Sequence, residues 1–172
     1  DGTTPDPEPG KSQTLVSPYP CATITCGYNA PVSGAACGCY PYSFHIGTDF
    51  IGATNDKTSA SYTTSISASG KGKVVYIERA GETTNLGNML VIRYDNVKNT
   101  NGGSYDHVLF RYCHLNSILV SKGANVFAGT PIATQGTSGQ GCAPNASHLH
   151  LEVTTDPEEL AHASRSNGFT NG

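Results

Sequence analysis

The chain has 172 residues, which is enough for one domain with a sizeable hydrophobic core. Its 10 lysines and arginines against 13 aspartates and glutamates give a formal charge of −3, and only 13% of residues are charged. This balance lacks the basic footprint of a nucleic-acid-binding protein, and no apolar run reaches the roughly 18 residues of a membrane span.

The first 20 residues hold five of the ten prolines and little apolar pattern. They are expected to form an extended linker or tail, which leaves residues 21–172 as the candidate domain. Residues 21–44 are rich in cysteine, glycine and tyrosine. We expect disulfide bridges, more than a core, to set the shape of this segment.

Six cysteines in a chain of this size indicate an oxidising compartment, outside the cell or in its envelope. Reduced core thiols in a cytosolic protein are the alternative. The first interpretation is favoured because four of the cysteines lie in turn-rich sequence: Cys21, Cys26, Cys37 and Cys39.

Strand signals dominate from Lys71 onward. Runs of β-branched and aromatic residues cover 73–78, 89–94 and 107–112, a weaker run covers 126–134, and residues 148–153 alternate strictly between polar and apolar. Residues 95–106 are a polar connection with a turn signal at Asn101-Gly102-Gly103, and the one good helix start is Asp156 before Pro157. The pattern predicts a mainly β domain, an antiparallel sheet with few short helices.

Four of the six histidines stand in patterns that suit a metal site. His45 precedes Asp49 by four residues, His114 ends a predicted strand, and His148 and His150 share one strand face. Two neutral imidazoles and a carboxylate can hold zinc with one position open for water, while two further imidazoles move protons. Spacing alone does not say which three residues bind the metal. The two remaining histidines, His107 and His162, are expected to have structural or surface roles.

Three strings together resemble the lysostaphin/LytM-type zinc metallopeptidases over residues 43–153. They are His45-x-Gly47-x-Asp49, Tyr112-Cys113-His114-Leu115 and His148-Leu149-His150-Leu151-Glu152. The glycine-rich connection from Val120 to Gly139 is similar to that of the family. Gly47 matches the interior glycine of the first motif and argues against a regular helix there.

The resemblance implies His45, Asp49 and His150 as ligands of one zinc ion per chain, with His114 and His148 as the unliganded catalytic pair. It implies a zinc endopeptidase that cuts peptide cross-links of bacterial peptidoglycan. The alternative is a non-catalytic cell-wall or partner-binding module of the same fold. Degenerate relatives of that kind usually lack one or more of these five polar residues, and none is missing here.

Three features stay open at this point. Glu152 is either an acceptor that orients His150 or a solvated strand end. The tyrosine that assists the oxyanion in the family has no motif to align, so Tyr28, Tyr40, Tyr42 and Tyr62 are all candidates. A bridge between Cys113 and Cys142 would tie the two walls of the site, although Cys113 has five possible partners.

The groove for an extended peptide is expected to lie between three polar segments, 53–65, 95–106 and 136–147. These segments are rich in Gly, Ser, Thr and Asn and poor in bulky apolar residues. Such walls favour substrates with small residues, such as glycine or D-alanine, beside the cleaved bond.

Overall fold

The computed structural model describes residues 11–19, 22–28, 45–52, 64–80, 84–139 and 147–158. These residues form ten strands: β1 Ala22–Cys26, β2 Thr48–Gly52, β3 Ser65–Ser67, β4 Gly72–Arg79, β5 Asn88–Lys98, β6 Ser104–Cys113, β7 Ser117–Ile118, β8 Asn125–Val126, β9 Pro131–Thr134 and β10 Leu149–Thr154. The predicted helix start is confirmed, because residues 157–158 are helical and Asp156 Oδ1 accepts a hydrogen bond from Glu158 N at 2.8 Å. In this part of the chain, no helix is long and apolar enough to cross a membrane.

The strands form two antiparallel sheets that enclose the core. Seven strands follow the order β1-β2-β10-β6-β5-β4-β8, and three follow the order β3-β9-β7. The core draws on both sheets, with Ile66 and Ile132 from the small sheet and Leu90, Tyr112 and Leu149 from the large one. The prediction of a mainly β, antiparallel domain is confirmed.

The hairpin β5–β6 is longer than the sequence predicted. Residues 95–106 were expected to be a polar wall of the groove, yet Asp95 pairs with His107, and only residues 99–103 turn. His107 lies six residues before Cys113 on β6, about 20 Å away at 3.3 Å per residue, and Asp95 is its partner on β5. The prediction that this segment lines the site is therefore wrong. Most residues at this end of the hairpin are exposed, so the sequence there lacks the apolar alternation that would have predicted strands.

The expected tail packs partly onto the domain. Tyr19 is 2% exposed and belongs to the hydrophobic core. The Gln13 backbone joins the end of β5 through two hydrogen bonds of 2.7 and 2.9 Å. The prediction of a linker over residues 1–20 is therefore wrong for residues 11–19. The proline-rich composition did not predict this packing, because the segment is held by single residues rather than by a periodic apolar pattern.

The described cysteines differ in state. Cys26, on edge strand β1, is disulfide-bonded, whereas Cys113 is a free and fully buried thiol. The suggested Cys113–Cys142 bridge is therefore wrong. Cys113 lies inside the sheet opposite His150, where burial raises the pKa of its thiol. The other four cysteines, Cys21, Cys37, Cys39 and Cys142, lie outside the described residues.

Candidate metal centre and active site

Three adjacent strands bring the polar motif residues to one face of the large sheet. The register places Asp49 of β2 opposite His150 of β10, and His150 opposite Cys113 of β6. Residues directly opposite in an antiparallel sheet project from the same face, so these three side chains are neighbours. Leu149 and Leu151 project the other way, into the core. The alternation read from the sequence thus describes β10.

The side chains of His45, Asp49 and His150 converge on one point. His45 Nε2 lies 3.0 Å from His150 Nδ1 and 3.2 Å from Asp49 Oδ1, and His150 Nδ1 lies 2.9 Å from Asp49 Oδ1. All three residues are buried. In a tetrahedral zinc site the ligand atoms lie about 3.3–3.6 Å apart, because the bonds are about 2.0–2.2 Å long. We call these three atoms the donor triangle, and its size fits one cation after small side-chain movements.

The hydrogen bonds on the far side of each ring fix which nitrogen faces the triangle. His45 Nδ1 donates to Gly27 O at 3.2 Å, and His150 Nε2 donates to Glu152 Oε1 at 3.1 Å. A carbonyl or carboxylate oxygen can only accept, so the opposite ring nitrogens carry lone pairs in the neutral imidazoles. Those lone pairs point toward Asp49, which is the arrangement that metal ligation needs.

Electrostatics at the donor triangle favour a positive charge at its centre. Burial alone would raise the pKa of Asp49, but hydrogen bonding within the triangle, chiefly to His150, lowers it below its ordinary value. Burial alone would lower the pKa of His150, but hydrogen bonds to Asp49 and Glu152 raise it to about 9. Without a cation, a proton therefore sits among the three acceptor atoms, and a bound metal would have to displace it.

Gly47 lets the first motif lie against β10. A Cβ atom at this position would lie 2.7 Å from the His150 ring and 2.7 Å from Leu151 O. Real side chains do not approach so closely, so only glycine fits between His45 and Asp49 at this site. Asp49 itself belongs to strand β2, in agreement with the expectation that no helix carries the motif.

His114 and His148 lie together beside the donor triangle. Their ring centroids are 4.9 Å apart, and His148 Nε2 is 3.8 Å from Asp49 Oδ1. His114 follows β6 with a φ of 59°, and its Nδ1 donates to Ser138 O at 2.8 Å. Burial, assisted by the neighbouring His148 and His150, lowers the pKa of His114 to about 3. His114 is therefore a neutral imidazole at neutral pH.

Glu152 is buried rather than solvated, so the interpretation of a solvated strand end is wrong. It is 9% exposed; its Oε1 accepts from His150, and its Oε2 accepts from Arg111 Nη2. Burial alone would raise the pKa of Glu152, but the His150 hydrogen bond and the Arg111 charge lower it. Sequence reasoning missed Arg111. The available signal was a charged residue inside a predicted strand, two positions before Cys113.

The remaining candidates are placed only in part. Tyr28 is 74% exposed and follows the glycine that anchors His45, while the other tyrosine candidates, Tyr40, Tyr42 and Tyr62, lie outside the described residues. His107 is a partly buried residue of β6, and His162 lies outside the described residues. Residues 53–63 and 140–146, most of two expected groove walls, are also outside them.

Cys26 is close to the donor triangle, but its sulfur is engaged in a disulfide. Its Sγ lies within 4.8 Å of donor atoms of His45 and Asp49. A sulfur in a disulfide is not a thiolate, and the thiolate is the form that binds zinc. The donor triangle itself therefore offers a metal two imidazole nitrogens and one carboxylate oxygen.

Comparison with known proteins places this arrangement in a family. Residues 43–162 match peptidase family M23. The chain belongs to peptidase family M23. The resemblance to lysostaphin/LytM-type peptidases is thereby confirmed.

This M23 chain is 34% identical over 137 residues to the peptidoglycan DD-endopeptidase ShyB of Vibrio cholerae serotype O1. The match covers 76% of this chain and 24% of ShyB, so the chain spans about a quarter of its relative's length. A solved zinc-containing peptidase from Vibrio cholerae has a TM-score of 0.50 and 29% identity, covering 81% of this chain and 36% of that one. A mutant catalytic domain of the prophage-encoded M23 protein EnpA from Enterococcus faecalis has a TM-score of 0.52 and 21% identity. The match covers 77% of this chain and 79% of that one, and it shows that the two share a fold.

Proposed function

We propose that this chain is a zinc-dependent endopeptidase that hydrolyses peptide cross-links of bacterial peptidoglycan. The donor triangle of His45, Asp49 and His150 carries the proposal, together with the two further histidines beside it. Membership of a peptidase family supports it. So do the relatives, of which ShyB is named a peptidoglycan DD-endopeptidase and a solved peptidase is described as zinc-containing.

The donor set suits zinc better than a hard cation. Two imidazole nitrogens and one carboxylate oxygen are a known catalytic zinc set, whereas calcium and magnesium prefer oxygen ligands throughout. We propose one zinc ion per chain, held by His45 Nε2, Asp49 Oδ1 and His150 Nδ1. When bound, zinc supplies a Lewis acid that polarises a carbonyl and acidifies a water molecule.

His114 and His148 are proposed to move the protons. Peptide hydrolysis takes a proton from the attacking water and delivers one to the leaving amine. His114 is held neutral by burial, with Nδ1–H engaged by Ser138 O, so its Nε2 keeps a lone pair that can accept. The same burial disfavours its imidazolium form, so His114 would return a proton readily. His148 is proposed to share this work, because its Nε2 lies 3.8 Å from Asp49 Oδ1, at the edge of the donor triangle.

The proposed substrate lies outside the cytoplasm, so the chain is proposed to act in the cell envelope or after secretion. The cysteine content and the disulfide at Cys26 suit that compartment. The substrate preference is proposed to be small residues, glycine or D-alanine, beside the cleaved bond.

Digestion of purified sacculi tests the proposal. Zinc-loaded chain is expected to release soluble peptides whose masses identify the bond cut, to stop when zinc is chelated, and to leave casein nearly intact. His114→Gln and His148→Gln serve as matched controls that are expected to bind zinc without hydrolysis. A zinc-loaded, folded wild-type chain that binds sacculi and releases nothing would instead establish the non-catalytic binding module.

A further inference from the structure

We infer that the N-terminal segment Lys11–Tyr19 positions His114 and His148, and that Tyr19 and Gln135 are the residues through which it acts. The inference rests on the proposed function only in calling the two histidines catalytic. Its structural content is a buried hydrogen-bond chain that joins the segment to the residue before His148.

The chain of hydrogen bonds runs through three buried side chains. Tyr19 Oη donates to Gln135 Oε1 at 2.9 Å, and Gln135 Nε2 donates to Ser147 O at 2.9 Å and to Ser147 Oγ at 3.1 Å. Gln135 is 0% exposed, Tyr19 2% and Ser147 7%. A buried amide needs partners for both its oxygen and its nitrogen, so Tyr19 and Ser147 together hold Gln135 in one orientation.

Gln135 begins a short segment, Gln135–Ser138, to which both histidines are attached. Gly136 O accepts from His148 N at 3.1 Å, and Ser138 O accepts from His114 Nδ1 at 2.8 Å. Gly136 also lies tightly against the chain after β6, because a Cβ atom there would be 2.7 Å from His114 O. A shift of this segment would therefore move both imidazoles.

The N-terminal segment is anchored firmly enough to act as a support. Gln13 Oε1 accepts from Lys71 N at 2.9 Å, and Gln13 Nε2 donates to Lys71 O and Asp95 O at 2.9 and 2.8 Å. A Cβ atom on Gly70 would lie 2.6 Å from both Gln13 and Leu15, so the glycine makes room for the segment. Further hydrogen bonds join Val16 N to Ser69 O and Ser67 N to Pro18 O.

The expected effect is on the chemical step rather than on substrate binding. Proton transfer depends on the position of the imidazoles to within fractions of an ångström, and a loss of positioning alone lowers kcat rather than uniform substrate binding. Neither Tyr19 nor Gln135 belongs to the donor triangle, so zinc content should not change. Loss of the hydrogen-bond chain should therefore lower kcat and leave KM and zinc binding nearly unaltered.

Full-length Tyr19→Phe and Gln135→Met proteins test the inference, with Tyr94→Phe as the matched control. Tyr94 Oη is also buried and bonded, to Tyr112 Oη at 2.9 Å and Ser69 N at 3.0 Å, but it does not reach Gln135–Ser138. On a defined cross-linked muropeptide, we expect kcat to fall about threefold for Tyr19→Phe and about tenfold for Gln135→Met. We expect Tyr94→Phe to lose stability but to keep its kcat.

A second readout does not need the activity. In zinc-loaded, ¹⁵N-histidine-labelled protein, the imidazole signals of His148 and His114 should shift in Tyr19→Phe and Gln135→Met and stay in place in Tyr94→Phe. If the signals and kcat of Tyr19→Phe match those of Tyr94→Phe, the inference is overturned, whether or not Gln135→Met folds. If the wild type hydrolyses nothing while the signals shift as expected, the proposed function fails and the positioning role stands.

Discussion

Glu152→Gln probes the buried carboxylate that connects the proposed metal centre to the neighbouring strand β6. The carboxylate accepts from His150 Nε2 at 3.1 Å and from Arg111 Nη2 on the neighbouring strand. Glutamine keeps the shape of the side chain but removes its charge. The substitution therefore removes the carboxylate charge that pairs with the Arg111 guanidinium, which is 1% exposed, and weakens the acceptor that fixes the His150 ring.

Two magnitudes follow from this geometry. Breaking a buried ion pair by removing one partner costs about 3–5 kcal/mol, a large part of the roughly 5–15 kcal/mol by which domains are stable. Loss of the acceptor behind a metal-binding histidine lowers metal affinity by about 10–100-fold. Chemical denaturation of the zinc-free protein and competition with a zinc chelator measure the two effects separately.

Two control proteins separate charge burial from ligand positioning. Asp95→Asn breaks the Arg93–Asp95 pair, whose side chains are 46% and 57% exposed, and should cost less than about 1 kcal/mol. An Arg111→Met, Glu152→Met double variant removes both charges and should regain most of the stability, but its zinc affinity should stay low. The reasoning is refuted if Glu152→Gln is no less stable than Asp95→Asn and binds zinc as the wild type does.

Four further outcomes are expected. Asp49→Ala should fold but lose its equivalent of zinc by elemental analysis, and full zinc content would contradict the ligand assignment. His114→Gln should keep zinc and lose at least about 100-fold in hydrolysis, whereas zinc loss as complete as in Asp49→Ala would show that ligand and catalyst are exchanged. Because the pKa of His150 is raised to about 9, its proton must leave when zinc binds, so the apparent affinity for zinc should fall about tenfold between pH 8 and pH 7. Calorimetry in two buffers should show about one proton released for each zinc ion bound. A zinc affinity that does not change with pH would contradict this. Gly47→Ala, whose Cβ would meet the His150 ring at 2.7 Å, should lose zinc affinity, and an unchanged dissociation constant would refute the close approach.

Patterns within single segments predicted a large part of the fold. The apolar runs at 73–78, 89–94 and 107–112 lie within β4, β5 and β6, and alternation over 148–153 describes most of β10. These strands are buried on at least one face, which forces a regular pattern on the sequence. The family resemblance selected the residues that the structure brings together at the donor triangle, a choice that spacing alone left open.

Features that depend on contacts between distant segments were missed. Glu152 is buried because β6 places Arg111 opposite it, 41 positions away in the chain, and only the strand register shows that. Tyr19 sits among prolines, and its partner Gln135 is 116 positions away. The free thiol of Cys113 likewise follows from its place in the sheet opposite His150, which the spacing of cysteines does not reveal.

Titration of zinc into chelated, metal-free protein, with peptide release from sacculi measured at each step, tests the central claim most directly. Activity is expected to be absent at the start, to rise linearly with added zinc and to level off at one equivalent per chain, because the proposed site, a single donor triangle, would hold one metal ion. Hydrolysis by protein with no bound metal, or one firmly bound equivalent of zinc without hydrolysis, would contradict the account.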